Sequence, residues 1–308
     1  MKPLLFELSA APGLAASLSR QLDAEQGELD RRQFPDGESY LRFETPVNGR
    51  NLLLLCTLDR PDPKLAPLLF AAAAARAQGA VSVGLVAPYL GYMRQDKQFH
   101  DGEAVTSKTF ADLLSSQIDW LVTLDPHLHR YPGLDALYAV PALAATAAEQ
   151  IADWIRDNVE LPVLVGPDEE SEQWVARIAA LAEARSTVLR KTRSGDYSVR
   201  IDPAGLGHLG NGTPVVIDDI ASSARTLIEA VRLLKAYAAR APLCAVVHPI
   251  FAGDSFARLA ATGVARVVST NTIEHESNAI DISAPLARAI RDARAAAAAT
   301  PVPEQTKD

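Results

Sequence analysis

Thr213-Pro214-Val215-Val216-Ile217-Asp218-Asp219-Ile220-Ala221-Ser222-Ser223-Ala224-Arg225-Thr226 is the stretch whose reading decides the fold. Val215-Val216-Ile217, led in by Pro214, is the kind of apolar run that forms a strand buried on both faces of a parallel sheet. The run stops at two adjacent carboxylates. A loop of small and hydroxylic residues follows, and Leu227, Ile228, Val231 and Leu234 then recur at helical spacing. The unit is strand–loop–helix, and its loop feeds a helix start, where free backbone N–H groups and the helix dipole favour a phosphate. Ser222, Ser223 and Thr226 add hydroxyl donors. Ionised Asp218 and Asp219 can only accept hydrogen bonds, so they suit vicinal sugar hydroxyls, each of which donates. A phosphate cradle beside a diol clamp describes a site for ribose 5-phosphate. The plainer alternative is that the two acids end a strand and cap a helix, and this stretch alone does not choose.

Outward from this stretch the chain repeats itself. A strand at 163–165, closed by Gly166-Pro167-Asp168 and followed by a helical pattern to about residue 184, matches a strand at 4–8 and the helix behind it. The runs at 215–217 and 245–249 match those at 53–55 and 85–88 at nearly constant offset. The repeat predicts an α/β chain of two tandem domains, each a mostly parallel sheet flanked by helices. Their expected limits are 1–145 and 146–295, followed by a disordered tail over 296–308, where the sequence turns Ala-rich, then Pro-containing and charged. The first copy carries Cys56 and Thr57 where the second carries Asp218 and Asp219, so the sugar-phosphate loop belongs to the second copy.

The 308-residue length suits two domains of ordinary size, and 48% hydrophobic residues supply a core for each. A formal charge of −8, from 30 basic against 38 acidic residues, argues against nonspecific nucleic-acid binding. An anionic substrate must therefore be met by local cations. Cys56 and Cys244 lie singly inside apolar runs, which argues against a disulfide framework or a cysteine zinc site and fits a reducing cytoplasm. Leu4-Leu5-Phe6 is broken by Glu7, too early for a secretory core or a membrane span.

The remaining polar stretches fall at the ends of expected strands. Phe34-Pro35-Asp36-Gly37-Glu38 contains a Pro-Asp-Gly turn. A strand over 51–57, an Ala-rich helix over 61–79 and a buried strand over 81–88 lead to the segment 89–103. There Arg94, Gln95, Asp96 and Lys97 sit among aromatics, directly after a strand, where α/β sheets place ligand loops. A strand over 118–124 ends in Asp125-Pro126-His127-Leu128-His129. The two imidazoles lack a convincing third partner for zinc, which leaves a magnesium–nucleotide role or an ordinary loop role for His127. Lys191-Thr192-Arg193-Ser194-Gly195-Asp196 reads as a mobile polar stretch. Its cation pair suits pyrophosphoryl transfer, in which charge builds on phosphate oxygens. Gly205-Leu206-Gly207-His208-Leu209-Gly210 precedes a strand instead of following one, so it is no dinucleotide fingerprint.

Taken in order, these motifs resemble the ribose-phosphate pyrophosphokinase (PRPP synthetase) family over roughly residues 3–290. The resemblance implies two phosphoribosyltransferase-like domains and an Mg2+-dependent transfer of pyrophosphate from ATP to the 1-hydroxyl of ribose 5-phosphate, in a cytoplasmic homo-oligomer that needs neither nucleic acid nor membrane. By the same resemblance Phe34, Asp36 and Glu38 form an adenine-side loop contributed across a subunit interface, and Arg94, Gln95, Asp96 and His127 bind ATP. His127 and Asp168 are metal-linked, Lys191 and Arg193 are the catalytic cations, and Asp218, Asp219, Ser222, Ser223, Ala224, Arg225 and Thr226 hold ribose 5-phosphate. Arg225 stands where the family carries glycine, Pro126 where it carries leucine, and Glu169-Glu170-Ser171 where it has small residues. Two other readings share the loop: a non-catalytic regulatory relative, and a phosphoribosyltransferase that consumes PRPP.

Overall fold

The computed structural model describes residues 2–128, 130–193, 199–202 and 209–299, with the side chains of 190–193 and 199–202 outside that description. The chain divides into two compact units, Met1–Ala145 with Ser283–Asp308, and Thr146–Ile282.

In chain order the first unit contains β1 (Leu4–Ser9), α1 (Leu14–Leu22), β2 (Glu25–Gln26), β3 (Leu29–Gln33), β4 (Ser39–Phe43), β5 (Asn51–Cys56) and α2 (Asp62–Ala77). It continues through β6 (Ser82–Ala87), α3 (Thr106–Ser115), β7 (Trp120–Leu124) and β8 (Ala142–Ala145). Six of its strands pair in parallel in the order β2-β1-β5-β6-β7-β8, while β3 and β4 form a separate antiparallel hairpin. The central strands are apolar on both faces because helices cover both sides, and Leu52, Leu53, Leu54 and Leu55 of β5 are all fully enclosed. Gly84 in β6 lets the Trp120 indole lie against the backbone, since a Cβ there would come 2.0 Å from the ring.

The second unit contains α4 (Ala148–Asn158), β9 (Pro162–Gly166), α5 (Glu172–Leu181), β10 (Arg185–Val188), β11 (Arg190–Arg193), β12 (Val199–Asp202), β13 (Thr213–Ile220) and α6 (Arg225–Tyr237). β14 (Leu243–His248), α7 (Ser255–Ala260), β15 (Arg266–Thr270) and β16 (Asn278–Ile280) complete it. Its sheet order is β10-β9-β13-β14-β15-β16, again parallel. Strand for strand this repeats the first unit, with β11–β12 in the chain position of β3–β4. The expected doubled α/β plan is the observed one.

Three expectations are corrected. The C-terminal helix α8 (Ser283–Ala299) belongs to the first unit and not to a domain spanning 146–295, and it packs on α1, β7 and β8. Leu286, Ala287, Ile290 and Ala293 at helical spacing are each fully buried there, and Gln21 Nε2 donates to Ser283 Oγ at 2.7 Å. Residues 296–299, expected as the start of a tail, are helical instead: the Ala-rich run is helix-forming and continues α8 to Ala299, while residues 300–308 lie outside the described residues. The polar stretch from Lys191 starts as a paired strand, Lys191 opposite Ile201 and Arg193 opposite Val199, while 194–198 lie outside the description.

Candidate active site

The site of the second unit follows from its topology. After β9 the chain crosses outward to β10, and the next sheet strand, β13, pairs on the other side of β9. Ligands of open α/β sheets bind outside the carboxyl ends of the strands at such a reversal. The residues found there are Pro167 and Asp168 after β9 and Asp218 and Asp219 in β13. The strand does not stop at the two acids, as the apolar run suggested. Asp218 pairs with Val246 and Ile220 with His248, because ladder hydrogen bonds use the backbone and are indifferent to where side chains turn polar.

The three carboxylates act on one another. Burial first, then the neighbouring Asp219 and Asp168 charges, push the Asp218 carboxyl well above the usual carboxylate range, and a side-chain hydrogen bond with Asp219 adds to the rise. The Asp219 amide donates to Asp218 Oδ1 at 3.1 Å and opposes it. Asp168 Oδ1 accepts the Ser171 amide at 3.2 Å, so this acid also caps the short turn Glu169–Ser171. Glu169 and Glu170, which replace small residues, are exposed on that turn.

The segment behind β13 is built as the sequence indicated, with one reassignment. Ala221 and Ala224 are buried, Ser222 and Thr226 half-buried, Ser223 and Arg225 exposed. The residue in the left-handed conformation that favours glycine is Ala224, at φ 55°, and not Arg225, which is the ordinary first residue of α6. Arg225 therefore leaves the loop intact. Ala224 has no side-chain oxygen with which to cap α6, and the first turn carries no acid, so α6 starts without a side-chain cap, the kind of helix end where an anion is favoured.

In the first unit the polar residues also gather at strand ends. Tyr92 (φ 61°) follows β6 and Asp125 (φ 36°) follows β7, both in left-handed conformations that L-residues adopt at a cost of about 1–3 kcal/mol each. Asp96 serves as the anchor of its loop: its carboxylate is 7% exposed and pairs with Arg130 at 3.2 Å, while Tyr131 Oη donates to the Asp96 carbonyl at 3.1 Å. Around it Arg94 is exposed and Gln95 half-buried. Lys97 and Arg130 both stand over the exposed Phe99 ring, at 4.8 and 5.9 Å from its centre. Phe99 and Arg130 were not singled out from sequence, although the mixing of cations with aromatics in this stretch was the available signal. His127 is half-buried beyond β7, and His129 lies outside the described residues.

The β3–β4 hairpin turns at Pro35-Asp36-Gly37, where Gly37 takes φ 92°. Its tip presents Phe34, 43% exposed, and Asp36 Oδ1 accepts the Glu38 amide at 3.2 Å. Arg32 lies 4.1 Å over the Tyr40 ring beside it. Lys191 and Arg193 lie on β11, with their side chains outside the described residues. The structure thus brings Asp168, Asp218 and Asp219 together with the loop 222–226, and Arg94, Gln95 and Asp96 together with Arg130. His127 and Asp168, the two expected metal-linked residues, belong to different units. Among the described residues no group of three or more His, Cys, Asp or Glu side chains forms a metal cage. The half-buried carboxylate of Asp168 is an oxygen donor of the kind magnesium takes, one or two carboxylates alongside substrate phosphates and waters.

No helix among the described residues is long and apolar enough to cross a membrane. Residues 3–117 match the family model described as the N-terminal domain of ribose phosphate pyrophosphokinase, and residues 133–281 match that of the phosphoribosyl transferase domain. Ribose-phosphate pyrophosphokinase of Methanobrevibacter smithii is 31% identical over 296 residues, covering 92% of this chain and 98% of the relative. That of Saccharolobus solfataricus is 32% identical over 285 residues, covering 91% and 97%. The crystal structure of phosphoribosylpyrophosphate synthetase from Mycobacterium smegmatis superposes with a TM-score of 0.82 at 26% identity, over 96% of this chain and 99% of that one. With the doubled parallel sheet, the acids at its topological reversal and near-complete coverage of these relatives, the chain belongs to the ribose-phosphate pyrophosphokinase family.

Proposed function

We propose that this protein is a ribose-phosphate diphosphokinase, moving the pyrophosphoryl group of ATP onto the 1-hydroxyl of ribose 5-phosphate to give PRPP and AMP. The observation that carries the reading is the juxtaposition, at one topological reversal, of two hydrogen-bonded carboxylates and an uncapped helix start behind a left-handed Ala224. Asp218 and Asp219 accept hydrogen bonds from the ribose hydroxyls. The backbone from Ser222 to Thr226, with its hydroxyls, receives the 5-phosphate. The 1-hydroxyl then attacks the β-phosphorus of ATP in line, AMP leaves, and Lys191 and Arg193 stabilise the charge that builds on the transferred group. Arg94 and Gln95 contact ATP, and Asp96 holds their loop through Arg130. His127 in the first unit and Asp168 in the second are each metal-linked residues of their own unit, and magnesium bound there would neutralise phosphate charge and orient the polyphosphate.

The exposed Phe34 ring, at the tip of the hairpin whose turn is closed by hydrogen bonds of Asp36 and Glu38, is offered to the adenine of a neighbouring copy, so the working form is a homo-oligomer. Two buried free thiols, with Cys56 pushed up to about 12 by burial, suit a cytoplasmic setting in which nothing oxidises them. A transferase that consumes PRPP needs one such domain, whereas this chain has the ATP-side unit as well. Purified protein incubated with ATP, magnesium and ribose 5-phosphate is expected to yield AMP and PRPP in equal amounts. Binding of both substrates with formation of neither product would refute the assignment.

A further inference from the structure

The loop that receives the sugar phosphate is not held by its own residues. Its support comes from the segment after β14. The Ser222 carbonyl accepts two hydrogen bonds, from the Ala252 amide at 3.0 Å and from Ser255 Oγ at 2.8 Å. The next carbonyl, of Ser223, faces Arg258, whose guanidinium lies at 3.5 Å while its Nε is anchored to Asp254 at 3.0 Å. One residue earlier, the Ala221 amide is tied to the His248 carbonyl at 3.1 Å. Ser255 is completely buried, at the first position of α7, and its hydroxyl has this carbonyl as its partner.

A trans peptide points its carbonyl and its N–H in opposite directions. Two successive carbonyls drawn toward 252–258 therefore turn two successive amides, those of Ser223 and Ala224, the other way. Consecutive N–H groups that share a direction and end at a left-handed residue form a concavity suited to an anion. Without the donors behind it, the Ser222–Ser223 peptide could rotate, and a carbonyl would face the phosphate in place of an amide.

We infer that Ser255, assisted by the Ala252 amide and Arg258, is a positioning residue that locks the peptides of the 222–224 loop with their amides toward the 5-phosphate. The inference rests on the ribose 5-phosphate reading of that loop. It assigns Ser255 no contact with substrate. Its loss acts on the phosphate end of one substrate alone.

The test compares the full-length parent with Ser255→Ala and Arg258→Ala, in steady-state kinetics and in calorimetric titration with ribose 5-phosphate and with ribose. Ser255→Ala is expected to raise the KM and Kd for ribose 5-phosphate by about tenfold, equivalent to one lost hydrogen bond. Ribose binding, the KM for ATP and kcat at saturating sugar phosphate stay within about twofold of the parent, a KM-against-kcat split that general loosening of the fold would not produce. Arg258→Ala, which changes a half-exposed side chain and leaves the core alone, shifts the same constant in the same direction by less. A parent that does not bind ribose 5-phosphate overturns the functional reading and this inference together. A parent that binds it, with both variants indistinguishable from it or with ATP and sugar-phosphate constants moving in parallel, overturns the inference alone.

Discussion

Replacing Ala224 by glycine is expected to leave stability nearly unchanged, while the same replacement at Ala230, in the same helix, costs several degrees. Both side chains are buried, at 5% and 1% exposure, so each variant forfeits a buried methyl group, about 0.8 kcal/mol. Each also frees the unfolded chain, and in the middle of α6 that entropy and propensity term adds about 1 kcal/mol, for a total near 2 kcal/mol at Ala230. Ala224 differs in one respect: its φ of 55° places Cβ against the following carbonyl, a cost of about 1–2 kcal/mol that glycine removes. The terms at Ala224 cancel to within about 1 kcal/mol. For units of this size 1 kcal/mol moves Tm by about 2–4 °C, so Ala224→Gly is expected within that span of the parent and Ala230→Gly about 4–8 °C below it. Circular dichroism melts of the ligand-free variants read the difference directly. Equal losses at the two positions would refute the left-handed assignment, and with it the claim that Arg225 leaves the loop intact.

Asp218→Asn should separate stability from function. The folded-state pKa of Asp218 is raised, so the folded protein holds a proton that the unfolded chain releases near pH 3.9, and stability falls as pH climbs from there to the folded value. The asparagine variant is expected to lose that slope, to exceed the parent in urea midpoint at neutral pH, and to bind ribose 5-phosphate poorly; an unchanged pH profile would count against the carboxylate cluster. Arg225→Glu puts an anion at the first position of α6 in place of a cation, which should raise the ligand-free Tm slightly, through about 0.3–1 kcal/mol of dipole energy, while weakening ribose 5-phosphate binding. Titration that shows tighter binding would show that Arg225 takes no part.

What could be read from sequence was whatever depends on local pattern. The apolar runs at 53–55, 85–88, 163–165 and 215–217 have one strong interpretation each, and their constant offset gave away the doubled sheet. Pro35-Asp36-Gly37 specified its hairpin because proline and glycine fix φ at a turn. The return of α8 to the first unit was not legible, because Leu286 and Ile290 say that a face is buried and nothing about which sheet buries it. Position 224 escaped for a similar reason. An alanine carries no mark of a left-handed backbone, whereas an arginine in place of glycine is conspicuous, so attention fell one residue too late. The bracing of Ser222 by Ser255 joins residues 33 apart through a carbonyl, a partner that no residue type announces.

Two features of the second unit that cost stability share one explanation. Packing Asp168, after β9, against Asp218 and Asp219 of β13 raises a buried carboxyl, and placing Arg225 at the start of α6 sets a cation against the positive end of the helix dipole. Each costs stability: among the described residues the charges that act on Asp218 are two further acids, and the first turn of α6 carries no acid. The charges involved are opposite in sign, so an excess of one kind of charge does not account for both. A ligand that is anionic at one end and rich in hydroxyl donors at the other reverses both at once: its phosphate satisfies the helix start and Arg225, and its hydroxyls donate to the acids. Misplaced charges of both signs, side by side on one rigid scaffold, are therefore stronger grounds for a phosphorylated sugar than either motif by itself.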